Sequence, residues 1–227
     1  MDRRAEAPLF VDRVEAGRRL AELLAERDLG EAVVVGLARG GVVLAAEIAA
    51  TLGLPLDALA VRKVGHPAQP EYAVGAVTPA GGLFLRESAG PGTEALAGAV
   101  DAARGRAREL DAGLHADHPA LDPSGRTVVL VDDGLATGAT MVAAVRWARS
   151  AGAARVVAAV PVGPPDTVAA LAEEADEVVC PEQPELFLAL GHWYERFGQV
   201  ADEDVLALLD AAAGRARAGA RATRRGR

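Results

Sequence analysis

Apolar residues recur along the first thirty positions at the spacing of one helix face. Val14, Gly17, Ala21 and Leu24 share a stripe while Arg13, Arg18, Glu22 and Glu26 fall elsewhere, so residues 12–28 predict an amphipathic helix that Gly30 ends. The period then changes. Residues 32–37 are a β-branched run, the pattern of a strand buried on both faces, and beyond Ala38, Arg39, Gly40 and Gly41 an Ala-rich helix is predicted to Leu52. Residues 56–64 predict a second strand, and strand, helix, strand at this spacing is the unit of a parallel sheet.

Between Gly65 and Arg86 the alternation is interrupted by a Pro/Gln loop and two short apolar runs, 72–77 and 83–85, flanking Pro79-Ala80-Gly81-Gly82, which predicts a hairpin. Leu96, Ala99, Ala103, Ala107, Leu110 and Leu114 mark a long amphipathic helix, followed by a loop over 115–125. Strands are then predicted over 127–131, 155–160 and 177–180, and helices over 139–150 and 166–173. The class is α/β, a parallel sheet with helices on both faces. Residues 181–200 break the alternation and hold Phe187, Trp193, Tyr194 and Phe197, half of the chain's aromatic residues. Two readings stand for them: packing of an irregular cap, or a stacking surface for a planar ring, with Trp193, Tyr194 and Phe197 the candidates.

Length and composition fit one domain over residues 1–213, with an insertion at 65–86 and a small cap at 181–200. The lone cysteine, Cys180, excludes an intrachain disulfide and a cysteine-rich zinc site, and a reducing cytoplasm is expected. No leader or membrane-spanning pattern is visible. The last 14 residues carry six arginines and no acid; taking those six charges from the formal −8 leaves the rest of the chain at −14. Such a body is a poor general nucleic-acid binder. Residues 214–227 have little apolar bulk and read as a disordered tail, the alternative being a nucleic-acid or partner-binding arm. Lys63 is the single lysine among 24 basic residues. Either it is a chance survivor in an exposed loop, or a compact ammonium is needed there for phosphate.

The chemistry concentrates after the 127–131 strand. Ligands of open α/β sheets bind at the carboxyl ends of strands, which is where Asp132 and Asp133 fall. Two adjacent carboxylates can accept hydrogen bonds from vicinal ribose hydroxyls. Gly134, Leu135, Ala136, Thr137, Gly138, Ala139 and Thr140 follow, a Thr/Gly turn that offers amides, hydroxyls and a helix dipole to a phosphate monoester. An ordinary capped βα turn would explain either half alone; a diol-binding pair one short loop from a phosphate cradle fits a 5-phosphoribosyl group.

Residues 128–140, VVLVDDGLATGAT, resemble the 5-phosphoribosyl-1-pyrophosphate signature of the type I phosphoribosyltransferases. The segment from Leu37 to Gly41 is similar to that family's pyrophosphate loop, in which backbone amides and an often cis peptide meet the leaving group. Arg62 and Lys63 match its basic residues that reach pyrophosphate, and the insertion after Gly65 matches its flexible catalytic loop by position. The GLARGG loop, the RKVGHP segment and the late Trp-Tyr-x-x-Phe most resemble uncharacterised bacterial members. The resemblance implies a type I fold with a C-terminal hood, a homodimer, Mg2+ held mainly through substrate, and transfer of 5-phosphoribosyl to a nitrogen base with release of pyrophosphate. By the same resemblance Asp132, Asp133 and Lys63 are the candidate catalytic residues. Together with the acid pair, Gly134, Ala136, Thr137, Gly138, Ala139 and Thr140 would seat the ribose 5-phosphate, and Ala38, Arg39, Gly40, Gly41, Arg62 and Lys63 the pyrophosphate. No hood signature of the hypoxanthine, adenine, uracil or orotate enzymes is present. A noncatalytic sensor of phosphoribosyl pyrophosphate or a nucleotide, and a hydrolase, would share these motifs. His115 and His118 have a spacing that could hold a metal but read as solvated loop residues, His66 and His192 as better placed to handle a proton, and Tyr72 as either a loop aromatic or a hairpin core residue.

Overall fold

The computed structural model describes residues 7–86 and 93–225. The elements run α1 (Arg13–Ala25), β1 (Ala32–Ala38), α2 (Gly40–Leu52), β2 (Leu56–Ala60), β3 (Arg62–His66), β4 (Gln69–Val77), β5 (Leu83–Leu85) and α3 (Thr93–Leu114). They continue with β6 (Thr127–Val131), α4 (Ala139–Ser150), β7 (Arg155–Ala159), α5 (Pro165–Ala172), β8 (Glu177–Val179) and α6 (Asp202–Arg225). Five parallel strands form the main sheet in the order β2-β1-β6-β7-β8, so β6 is central.

Strand alternation sorts its side chains into two cores. Val34, Val129, Val131, Val157 and Ala159 face α1, α2 and α6, while Val33, Val35, Val128, Leu130, Val156 and Ala158 face α4 and α5. This explains the unbroken apolar runs: both faces are covered, as the sequence predicts for the α/β class. Asp12 starts α1 by accepting the Glu15 amide through its side chain at 3.1 Å.

The predicted 56–64 strand is in fact two. β1 offers its last partner where Ala38 pairs with Ala60, so from Arg62 onward the chain pairs antiparallel with β4. The apolar pattern continues through Val61 and Val64 and carries no sign of this change of partner. β3, β4 and β5 make a separate antiparallel sheet whose Val64, Val74 and Val77 pack on Leu96, Val100 and Ala103 of α3. The expected hairpin is therefore present, but most of the expected flexible loop is strand, turning at Pro67 and Ala68. Tyr72 is half exposed, not a core residue.

The tail expected to be disordered is also different: α6 continues to Arg225. Its first turns are anchored by the acids Asp202, Glu203 and Asp204 at the N-terminus and by the buried Val205 and Leu209. Alanine and arginine, good helix formers, propagate what those turns nucleate. None of the described helices is long and apolar enough to cross a membrane.

Candidate active site

The carboxyl ends of β1 and β6 are neighbours, and each strand leads by a short loop into a helix, α2 and α4, so both helix N-termini open on the same edge of the sheet. In the first loop the Ala38–Arg39 peptide is cis, and Gly40 and Gly41 begin α2. The glycines are required by close approach: a Cβ on Gly40 would strike Asp133 Oδ2, and one on Gly41 would strike the Val131 carbonyl oxygen.

In the second loop Asp132 Oδ1 accepts the Asp133 amide at 2.9 Å. Asp132 remains partly exposed, yet its carboxyl is raised well above the usual carboxylate range, chiefly by burial and next by the charge of Asp133. Asp133 is 9% exposed and clamped twice. Its Oδ2 accepts Arg13 Nε at 2.8 Å, and its carbonyl accepts the Tyr194 hydroxyl at 2.6 Å. Gly134 packs on Leu190, and the Leu135 amide donates to the Val162 carbonyl at 2.8 Å, which fixes the base of the loop. Ala136 and Thr137 are exposed. Gly138, at φ +73°, is the N-cap of α4 without a side-chain cap, and the first bond into the helix runs from Val142 to Gly138. The amides of Ala139, Thr140 and Met141 thus lie ahead of the helical ladder, the arrangement that binds anions.

A family model for the phosphoribosyl transferase domain matches residues 11–194. The chain belongs to that family. Proteins of Mycobacterium tuberculosis strains H37Rv and CDC 1551, both carrying the name "Putative phosphoribosyl transferase", are 48% identical over 209 residues, covering 90% of this chain and 47% of theirs. The chain therefore spans about half the length of those relatives. The crystal structure of TT1426 from Thermus thermophilus is similar with a TM-score of 0.77 and 46% identity, covering 88% of this chain and 97% of that one. The expected phosphoribosyltransferase fold is thus the observed one.

Within this family fold the hood is composite. The Leu9 and Phe10 amides donate to the Trp193 carbonyl at 3.0 Å, and the Glu195 and Arg196 amides return to the carbonyls of Phe10 and Val11. Trp193 and Tyr194 are 1% and 4% exposed and pack in the core, which removes them as stacking surfaces. Burial, with Asp133 adding, pushes the Tyr194 phenol far above its ordinary pKa, so it stays a donor. Phe197 keeps an exposed edge, but the Arg13 guanidinium covers one face at 3.9 Å.

Arg13 is the residue that sequence reasoning missed. It sits off the apolar stripe of α1 and reads as a surface charge, but it spans to Asp133, to the Gly198 carbonyl at 2.7 Å and to Phe197. No local signal marks it, because its partners lie 120 and 185 positions away. Arg39 also departs from expectation. Its guanidinium turns to α6, donating to the Val200 carbonyl at 3.2 Å and lying 3.5 Å from Asp202. Arg62 and Lys63 lie on β3, outside the main sheet.

The histidines are sorted differently from the sequence reading. His115 is not a solvated loop residue: Nε2 meets Asp57 Oδ1 and Nδ1 meets the Asp111 carbonyl, both at 3.0 Å. Hydrogen bonds to Asp111 and Asp57 push its pKa up to about 10 against desolvation. Asp57 also holds the Leu121 amide at 2.8 Å, so the cluster ties α3, β2 and the following loop together. His118 is 3.2 Å from Asp210 of α6. His66 Nδ1 accepts the Ala68 amide within the β3–β4 turn, and His192 stands edge-on to Trp193. Cys180 is buried, and burial pushes its thiol pKa up to about 12.

Proposed function

We propose that the chain transfers the 5-phosphoribosyl group of 5-phosphoribosyl-1-pyrophosphate to a nitrogen acceptor, breaking the C1–O bond to pyrophosphate and forming a C1–N bond. The observation that carries this reading is the pairing of two helix N-termini on one sheet edge, with Asp132 and Asp133 between them. The α4 side, with Thr137, Thr140 and free amides, suits the 5-phosphate; the Gly40–Gly41 start of α2 suits pyrophosphate oxygens. Asp132 and Asp133 orient the ribose hydroxyls, and Arg13 and Tyr194 keep Asp133 in place. As positive charge develops at C1, it favours the ionised form of Asp132 beside Asp133 and the fixed pair stabilises it, while the proton of the acceptor nitrogen leaves to solvent or pyrophosphate.

No group of three His, Cys, Asp or Glu side chains among the described residues is arranged to hold a metal. Two carboxylates, one already paired with Arg13, would fit a Mg2+ held mostly by substrate and water oxygens, with Asp132 the nearer protein group to it. Mg2+ held there would supply charge neutralisation for the leaving pyrophosphate. A homodimer is part of the proposal, and sedimentation of the purified chain tests it.

A second reading, a sensor that binds phosphoribosyl pyrophosphate or a nucleotide without transfer, is favoured by one observation: burial of Trp193 and Tyr194 leaves no open aromatic platform for an acceptor ring at those two hood positions. Pyrophosphate release from 5-phosphoribosyl-1-pyrophosphate and Mg2+, measured over a panel of purine, pyrimidine and other nitrogen acceptors, separates the two. Acceptor-dependent release that Asp132→Asn abolishes supports transfer. Binding without release supports the sensor, and release without any acceptor supports a hydrolase.

A further inference from the structure

The free edge of β3 runs beside α3, and two open clefts of about 570 and 500 Å3 lie along it. Lys63 and His66 line the first, Arg62, Glu109 and Asp202 the second, and Arg106 of α3 lines both. The side chains of Arg62, Lys63 and Arg106 make no hydrogen bond or ion pair to another described residue, although the chain has 32 acids to 24 basic residues and its other arginines commonly have a carboxylate partner. Arg39 joins this group from the other side. Its ion pair with Asp202 brings the loop that starts α2 to the wall of the second cleft. Three guanidiniums, from the β1–α2 loop, from β3 and from α3, therefore gather around two carboxylates, Asp202 and the exposed Glu109. Burial lowers the pKa of Arg62, and the nearby charges of Arg39 and Arg106 act in the same direction while Asp202 opposes them. With Lys63 beside them, these cations outnumber the two carboxylates, and like charges held this close in an acidic protein call for a polyanion.

We propose that Arg106, which belongs to none of the recognised motifs, completes the seat of the pyrophosphate group with Arg62 and Lys63, and that Asp202 is the internal carboxylate a bound polyanion displaces from Arg39. This seat deepens the transferase reading and rests on it. Arg106 is exposed on α3, so removing it leaves the core intact. Its place on α3, apart from the loop between β6 and α4, makes its effect separable from the 5-phosphate site.

The test is calorimetric titration of the whole chain with inorganic pyrophosphate plus Mg2+ and, separately, with ribose 5-phosphate. Arg106→Ala should weaken pyrophosphate about tenfold, with Arg106→Lys in between, the loss of one charge-assisted contact. Asp202→Asn should tighten pyrophosphate several-fold, and ribose 5-phosphate should bind all variants alike. Pyrophosphate affinity unchanged in Arg106→Ala, or both ligands lost together, overturns the role of Arg106. Unchanged or weaker pyrophosphate binding in Asp202→Asn overturns that of Asp202. A wild type that binds ribose 5-phosphate but not pyrophosphate removes the arginine seat while the 5-phosphate cradle stands; one that binds neither removes the transferase reading with it.

Discussion

The two loops at the sheet edge share one architecture, a buried parallel strand turning into a helix N-terminus, yet they use it in opposite ways. The β1–α2 loop offers backbone: two glycines pressed against the other loop, and one arginine turned away toward α6. The β6–α4 loop offers side chains: two carboxylates and two threonines, with Asp133 held by residues from both ends of the chain. A site divided this way is sensitive to added atoms on one side and to lost charge on the other.

The largest expected effect tests the side-chain half. Asp132→Asn should cut turnover by roughly two orders of magnitude, the scale of losing one electrostatic contact to a developing charge. Because the Asp132 carboxyl already resists ionising in the free protein, the thermal midpoint should hold or rise. A fall in the midpoint matching the lost activity would show that Asp132 acts structurally. The backbone half is tested by Gly40→Ala, whose methyl group meets Asp133 Oδ2. Overpacking of this kind costs about 1–3 kcal/mol in a urea titration, and pyrophosphate binding should weaken more than Arg39→Ala weakens it. If Arg39→Ala is the more damaging, the loop works through its side chain and the contrast collapses.

Arg13→Ala sharpens the comparison from outside the loops. It leaves Asp133 nearly buried without its cation, which should cost about 2 kcal/mol of stability, less than a fully buried pair because both side chains keep some solvent. The readout is the urea midpoint with KM and kcat alongside, and a silent variant would remove Arg13 as the clamp. The smallest effect is a control away from both loops. His115 has its pKa raised above the ordinary value of 6.5 to about 10, so its contribution is complete below pH 6.5 and is lost as pH rises through about 10. His115→Gln should lose about 1–2 kcal/mol at about pH 6, after allowance for solvent screening, and little at about pH 10.5, with activity unchanged. An equal loss at both pH values would mean that packing, not charge, is what His115 supplies.

These cases also mark what the sequence discloses. β1, β6, α4 and the acid pair with its Thr/Gly turn are legible because each depends on neighbours in the chain: an apolar run, a period, two adjacent carboxylates. The split of β2 from β3 is not, because it is decided by where β1 stops offering partners. Arg13 and His115 look like surface and loop residues because their partners come from distant elements. The helical continuation of the arginine-rich tail is hidden for a different reason: composition speaks of burial, whereas helix propagation depends on the anchored turns before it.

The bridging of Phe10 to Tyr194 has a consequence in time as well as in space. A chain emerging from the ribosome displays its complete β6–α4 loop once residue 140 is out, but neither the hydroxyl of Tyr194 nor the 193–196 segment that pairs with residues 9–11 yet exists. Until Tyr194, 61 positions beyond Asp133, has been made, Asp133 lacks one of its two clamps. The ordering of the site is thus tied to the later stages of synthesis rather than to the appearance of its motif.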